Sequence, residues 1–251
     1  MNYKKTVYLS ITLFLFFWVS GCAPLFFENY QFEIYETPHY TFFYLRDSKI
    51  SKDLKDIGLN AEKALMWASK FIDIEINIKI SGYLYDDYTK SSYFRTVKSV
   101  ETASTFANEY CFQYCYDRDM FNLEYATPVI LHESMHIIQA SYFFTNNIGL
   151  YEGHSTYMQL KYKFYQGNYN DSERSIFNSI NEIVKTSLIN DKEFPHSIFG
   201  MTNSAFQDVD SETLIRNPKK RYEICASFIA YIVEKFGIKK LNEWLYKTDK
   251  I

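Results

Sequence analysis

Two histidines flank a glutamate in the stretch Thr127–Phe144, TPVILHESMHIIQASYFF, which carries no other charged residue. His132 and His136 are four residues apart, so on a helix both imidazoles project from the same face. Burying such polar side chains without a partner costs about 2–7 kcal/mol, and a metal ion held by both rings would remove that cost. The spacing therefore predicts a metal centre on a helix.

The glutamate between the histidines has a different place in such a centre. Glu133 is turned by about 100° from His132 on a helix, so it lies beside the ion, where it can hold a water molecule and accept its proton. A catalytic zinc ion takes three protein ligands and keeps one open position. Glu152 can supply the third ligand, because the fifteen residues 137–151 fit the end of one helix, a short turn and an antiparallel return. His154 is the competing ligand, but it would face away from Glu152.

Helices dominate the second half of the chain. Thr127 as N-cap and Pro128 as first helical residue predict a helix over 127–144. TNNIG ends it, and a second helix is predicted from Leu150 to about Tyr165. Further helices are predicted at Ser172–Leu188, over RYEICASFIAYIVEKF before Gly237, and around two apolar residues near the end. The helix over RYEICASFIAYIVEKF has a predicted apolar face of Tyr222, Cys225, Ile229, Ile232 and Phe236. The last, short helix carries Leu241 and Leu245.

Strands are predicted only in the first half. His39–Asp47 alternates in polarity like a strand, and Ser51–Phe71 has apolar residues at helical spacing. A second strand is predicted from Ile74 onward, with isoleucines 74, 76, 78 and 80 on one face. Residues 87–110 have no clear period and are predicted as loop or edge structure. Two strands followed by a run of helices indicate an α+β fold, with a small N-terminal sheet and a mainly helical remainder.

The N-terminus has the features of an export signal. Lys4 and Lys5 precede an apolar run, Val7–Val19, which is shorter than the roughly 20 residues of a membrane-spanning helix. The following Val19-Ser20-Gly21-Cys22 resembles the lipobox of bacterial lipoproteins, in which the cysteine is lipidated. That resemblance implies a signal peptide at 1–21, a tether at 22–36, a domain at 37–251, and an extracytoplasmic, lipid-anchored protein of the bacterial cell envelope. A membrane span and an ordinary cleavage site are the alternatives.

Composition limits the remaining possibilities. With 251 residues, of which 47% are hydrophobic, the chain can bury a sizeable core in one domain. The net charge is −3, and lysines and glutamates are interspersed, so no nucleic-acid partner is expected. Cys111, Cys115 and Cys225 allow one disulfide or buried thiols, since no second pair completes a four-cysteine zinc site.

The segments HESMH and LYEGHSTYM together resemble the HExxH motif and downstream Glu-Gly pair of gluzincin metallopeptidases, the thermolysin-like group. The resemblance is greatest to the peptidase-MA-like branch, where YEICASFIAYIVEKFGIKKLNEWL is similar to a closing helix pair with a leading tyrosine. It spans about residues 38–246. It implies a zincin-like domain centred on the active-site helix, zinc ligands His132, His136 and Glu152, Glu133 as catalytic base, and a peptide or protein substrate.

Some features depart from that group or leave alternatives. The oxyanion donor would be Tyr222 or His196, although Tyr222 could equally pack in the core. Thr156 stands where thermolysin-like enzymes often keep an acid that orients a ligand. Gln139 and Tyr142 occupy the positions that would continue a metzincin motif. Two other functions remain: a non-catalytic zinc-binding envelope lipoprotein with a degenerate peptidase fold, against which Glu133 argues, and a zinc hydrolase with a non-peptide substrate.

Overall fold

The computed structural model describes residues 32–86, 103–106, 109–116, 123–142, 147–167 and 218–247, with a few helical positions between 178 and 186. A five-stranded sheet near the N-terminus is followed by a mainly helical region, which confirms the predicted α+β class. No helix in these ranges is long and apolar enough to cross a membrane.

The sheet combines a parallel centre with antiparallel edges. Its strand order is β1-β2-β3-β5-β4, with β2, β3 and β5 parallel and the outer strands β1 and β4 antiparallel to their neighbours. The strands are β1 (Phe32–Glu36), β2 (Tyr40–Leu45), β3 (Ile80–Tyr85), β4 (Ala103–Phe106) and β5 (Cys111–Cys115). Of these, β2 matches the prediction for His39–Asp47.

Three strands differ from the sequence-based expectation. Residues 32–36, expected in the tether, form β1, so folded structure already includes Phe32. β3 begins only at Ile80, although Ile76 is buried and Ile74 and Ile78 pack against the core. All five residues of β5 are buried, so this strand lacks the alternation by which half-buried strands are recognised.

Helix α1 (Leu54–Ile72) makes the crossover between the parallel strands β2 and β3. A short 3-10 turn, Lys49–Lys52, precedes it, and the left-handed Asp73 (φ 58°) ends it. The apolar residues at helical spacing face inward, as predicted, and these are buried: Leu54, Ile57, Ala61, Ala64, Leu65, Ala68 and Ile72.

Helix α2 (Leu123–Tyr142) carries the two histidines and contacts α1, β4, β5 and the following helix α3 (Ile148–Tyr165). It begins four residues before the expected N-cap Thr127, whose hydroxyl instead donates a hydrogen bond to the Leu123 carbonyl. Pro128 therefore lies inside the helix. Its missing N–H would have bonded the carbonyl of the exposed Glu124 in the first turn, which limits the cost of the proline.

Helices α4 (Pro218–Phe236) and α5 (Ile238–Lys247) close the domain, separated by Gly237 at φ 82°. α4 packs against α3 so closely that a Cβ on Gly153 would lie 2.8 Å from the Cys225 backbone. The predicted apolar face of α4 is only partly correct, because Tyr222 and Phe236 are exposed. The buried apolar residues of α4 are Ile224, Cys225, Ala226, Phe228, Ile229 and Ala230, and Leu241 and Leu245 are buried as predicted on α5.

The cysteines form no disulfide among themselves. Cys111, Cys115 and Cys225 are all buried thiols, so the disulfide alternative is wrong for these three. Cys111 and Cys115 stand at the two ends of β5, and four strand residues span about 13 Å, beyond the roughly 7 Å that a disulfide bridges.

Candidate metal centre

The helix hairpin of α2 and α3 brings the three predicted metal ligands together. His132 and His136 project from α2 one turn apart, and Glu152 comes from the first turns of α3. Asn147 caps α3, since its side-chain oxygen accepts a hydrogen bond from the Leu150 N–H at 2.9 Å. This cap fixes where α3 begins, and with it the position of Glu152 opposite the histidines.

The ligand atoms form a nearly equilateral triangle. His132 Nε2 and His136 Nε2 are 3.1 Å apart, and Glu152 Oε2 lies 3.4 Å from the first and 3.2 Å from the second. The three side chains are the group that could hold a metal ion among the described residues. Their remaining exposure is small, at 11%, 6% and 16% of the side chains.

The size of the triangle fits a small tetrahedral ion. Zinc with ligand distances of about 2.0–2.1 Å has about 3.3–3.4 Å between neighbouring ligand atoms, close to all three sides. Two imidazoles and one carboxylate also suit zinc better than magnesium or calcium, which prefer oxygen ligands. The residues therefore fit Zn²⁺, while the identity of the metal rests on this match of donors and distances.

Charge reinforces the grouping. Burial alone would raise the pKa of Glu152, but the charges and hydrogen bonds of His136 and His132 hold it well below its usual range. Burial alone would lower the pKa of His136, but the carboxylates of Glu152 and Glu133 raise it. The Glu152 carboxylate and the His136 imidazole thus favour each other's charged forms, as expected of side chains grouped around a cation site.

A neutral network orients His136 from behind. Its Nδ1 lies 3.0 Å from Ser155 Oγ and 3.3 Å from Gln139 Oε1, and the Ser155 hydroxyl is 3.3 Å from the same oxygen. The Gln139 amide donates to the Tyr151 carbonyl at 3.0 Å. Tyr151 also stacks on the His136 ring, with centroids 4.3 Å apart, and its hydroxyl donates to the His136 carbonyl at 3.0 Å.

His154 is not one of the ligands. Its side chain is fully buried, and its Nδ1 accepts a hydrogen bond of 3.0 Å from the Gln139 amide. Burial, together with the charge on His136, lowers the pKa of His154 to about 4, so the ring is neutral. The expectation that His154 faces away from the ligand position of Glu152 agrees with this placement.

Glu133 lies beside the triad and is anchored to the sheet. The Thr105 hydroxyl on β4 lies 2.5 Å from Glu133 Oε2 and 3.1 Å from the Glu133 carbonyl oxygen. The edge strand therefore positions the expected base. Thr105 falls in a segment predicted only as loop or edge, so the sequence contains no signal for this contact.

Tyr222 is 40% exposed on α4, which contradicts the alternative that it packs in the core. It stands one turn before Cys225, the residue against which Gly153 packs. Because Gly153 follows Glu152 directly, this part of α4 is close to the triad. Burial and then the charge of Glu152 raise the pKa of Cys225 to about 12. His196, the other oxyanion candidate, and Cys22, the expected lipidation site, lie outside the described residues.

The orienting residues Gln139, Ser155 and Tyr151 are absent from the sequence-based prediction. A weak signal existed for Gln139, a polar residue three positions after His136 in an otherwise apolar run. Thr156, at the position of the acid that orients a ligand in thermolysin-like enzymes, has a buried hydroxyl with no hydrogen-bond partner in the described ranges. Ser155 and Gln139 thus contact the metal ligand His136. Thr156 does not take over the orienting role that the acid has in thermolysin-like enzymes.

Comparison with known proteins gives no further guide. A scan against protein-family models found no match, and a search of the curated proteins found no relative of this chain.

Proposed function

We propose that the protein is a zinc-dependent peptidase. The observation that carries the proposal is the triangle of His132 Nε2, His136 Nε2 and Glu152 Oε2, with sides of 3.1–3.4 Å, next to an anchored glutamate. When bound in such a ligand set, zinc lowers the pKa of a water molecule towards ~7 and polarises a carbonyl group. The residues of the chain supply the remaining functions.

Glu133 is the proton acceptor in this proposal. Glu133 is buried and follows His132 directly on α2, so that its carboxylate would accept the proton of a water held at the triad. The Thr105 hydroxyl occupies Oε2, which restricts rotation of the carboxylate and leaves Oε1 as the oxygen for the water proton. A carboxylate held in this way needs little reorganisation as the proton moves.

The edge strand β4 supports a peptide rather than a small non-peptide substrate. β4 ends the sheet in the described part of the chain, so its outer edge can pair with an extended peptide through backbone hydrogen bonds. Thr105 lies on this strand and contacts Glu133. A peptide that adds to β4 would therefore pass beside the base and the triad.

The oxyanion donor that we propose is Tyr222. Tyr222 is exposed to solvent, and it stands one turn before Cys225, which packs against the Glu152 helix. A phenol can donate a hydrogen bond to an oxygen on which negative charge develops, which lowers the barrier of acyl transfer.

The proposed location is the bacterial cell envelope, with Cys22 lipidated and residues 1–21 removed. Mass spectrometry of the N-terminal peptide from the membrane fraction tests it. The expected product begins at an acylated Cys22. An intact Met1, or an unmodified Cys22, would contradict this part of the proposal without touching the chemistry of the triad.

The decisive experiment for the function is Glu133→Gln, assayed on an unbiased peptide library. Because an amide cannot accept the water proton, kcat should fall by about 10²–10⁴-fold while zinc content is unchanged. Glu124→Gln, the same change at an exposed site on the same helix, is the matched control and should keep full activity. Full activity in Glu133→Gln, or no turnover of any peptide by the wild type, would favour the non-catalytic zinc-binding lipoprotein.

A further inference from the structure

The outward face of α1 carries a row of lysines around two exposed apolar side chains. Lys55, Leu59, Lys63, Met66 and Lys70 are all exposed and follow each other at spacings of three or four residues, so they lie on one stripe of the helix. Lys52, also exposed, stands just before the helix. We call these six residues the lysine face.

The lysine face takes no part in the core. At 100° per residue it lies opposite the buried side of α1, which contains Ile57, Ala61 and Ala68. Leu59 and Met66 are nevertheless 49% and 52% exposed. Packing of the domain therefore does not explain why apolar side chains stand between these lysines.

The lysines of the lysine face differ from other lysines of the protein in their ion pairs with acidic side chains. Elsewhere Lys79, Lys239 and Lys240 lie 3.9, 3.2 and 2.8 Å from an acidic oxygen. Within the ranges that the structure describes, none of the four lysines of the lysine face has an acidic partner within 4.0 Å. Asp56 is the exposed acid on the flank of the face, and Glu62 is turned to His39. The face is thus a concentrated positive surface on a chain of net charge −3.

We infer that the lysine face docks on an anionic lipid surface, with lysines at the headgroups and Leu59 and Met66 entering the interface. Basic residues near such a surface are attracted within a Debye length of about 8–10 Å, and interspersed apolar side chains add affinity. This arrangement of a charged stripe with embedded apolar residues suits a lipid interface better than open water.

The position of Phe32, the first residue of β1, favours a lipid surface over an acidic protein as the partner of the lysine face. Nine residues separate Cys22 from Phe32, so a lipid anchor at Cys22 would hold the start of β1 within about 35 Å of the membrane. Phe32 pairs with Leu45, shortly before the turn that leads into α1. The tethered end and the start of the lysine face therefore lie at the same end of the sheet, where tethering gives a high effective concentration.

Lysine footprinting tests the docking on the full chain, reconstituted through its N-terminal segment. The probe vesicles contain phosphatidylcholine alone, or phosphatidylcholine with about one third phosphatidylglycerol. Acylation by a water-soluble amine reagent is followed by mass spectrometry. On anionic vesicles Lys55, Lys63 and Lys70 should react at least about fivefold more slowly than on neutral ones, and about 1 M salt should abolish the difference. Lys161, exposed on α3, is the internal control.

Charge reversal makes the test specific. In Lys55→Glu/Lys63→Glu the protection of Lys70 should disappear, whereas Lys235→Glu/Lys240→Glu, an equal change of charge on α4 and α5, should preserve it. All four positions are exposed, so both variants should keep the wild-type fold, which circular dichroism checks. Equal rates at Lys63 on neutral and anionic vesicles would overturn the inference, and an acidic protein would become the occupant to seek. Both outcomes are independent of peptidase activity.

Discussion

Helices α1 and α2 have nearly the same length, 19 and 20 residues, but differ in whether their polar side chains are exposed or buried. α1 turns its lysines to the surface and buries an apolar face. α2 is buried from Ala126 to Gln139 except for partly exposed His132, and its polar side chains lie inside the protein. Polar groups on α1 need no partner because water solvates them. Polar groups on α2 would each be costly unless the fold supplied one.

The partners of the α2 side chains come from other elements. Ser134 donates to the Ile130 carbonyl at 2.7 Å and meets the Tyr40 hydroxyl from β2 at 2.9 Å. Glu133 meets β4 and Gln139 meets α3. His132 Nδ1 is the exception, because it has no hydrogen-bond partner in the described ranges. On α2, His132, His136 and Gln139 thus belong to one buried site, whereas the polar outer face of α1 is a surface.

The largest effect is expected from a metal ligand. His136→Ala removes one of two imidazoles and should lower zinc affinity by at least about 10²-fold, as measured by competition with a chromogenic chelator. Zinc should raise the melting temperature of the wild type but not of this variant, because only the folded wild-type protein binds the ion and is stabilised by it. His39→Ala, a histidine paired with Glu62 outside the site, should keep the zinc effect. An unchanged zinc response in His136→Ala would refute the triad.

Tyr222→Phe tests the exposed part of the site. If the hydroxyl stabilises the oxyanion, kcat should fall by about 10²–10³-fold with KM nearly unchanged, because the interaction exists only in the transition state. Tyr231→Phe on the same helix removes a hydroxyl that contacts Lys235 and serves as the control. Wild-type kcat in Tyr222→Phe would exclude the oxyanion role.

Gln139→Leu tests whether the neutral network matters to the metal. The change keeps the approximate volume but removes the groups that contact His136 and Ser155, so zinc affinity should fall by about 10–100-fold. The exposed Gln166→Leu at the end of α3 is the matched control. Zinc affinity equal to wild type in Gln139→Leu would show that Ser155 and Tyr151 orient His136 without the Gln139 amide.

The smallest effect is expected on α1, at the pair of Glu62 and His39 outside the site. Burial alone would raise the pKa of Glu62, but hydrogen bonds from Thr37 and His39 lower it. A lowered pKa in the folded state stabilises the protein above the unfolded pKa of about 4.5, and this contribution is lost as pH falls through the folded value. Glu62→Gln should therefore cost about 1–2 kcal/mol of unfolding free energy at pH 7 and less at acid pH, measured by urea titration. The exposed Glu75→Gln should cost almost nothing, and a constant difference across pH would contradict this explanation.

The contrast between the helices also explains what the sequence could predict. The three ligands follow from local rules, because helical spacing sets His132 and His136 and hairpin length brings Glu152 to them. The apolar face of α1 follows from its period. Thr105 and Ser155 could not be predicted, since each meets the site only through the packing of one element on another. β5 lacks alternation because it is buried on both faces, and Pro128, which α2 tolerates near its N-terminus, obscured the start of that helix.

The most direct test of the central claim is anomalous diffraction at the zinc edge from crystals of the wild-type protein. One peak per chain is expected, about 2.0–2.2 Å from His132 Nε2, His136 Nε2 and a Glu152 carboxylate oxygen. The triad would then be the zinc centre on which the proposed hydrolysis depends. A peak bonded to His154 or to the Cys225 sulfur, or crystals from zinc-containing solution with no peak at the triad, would contradict it.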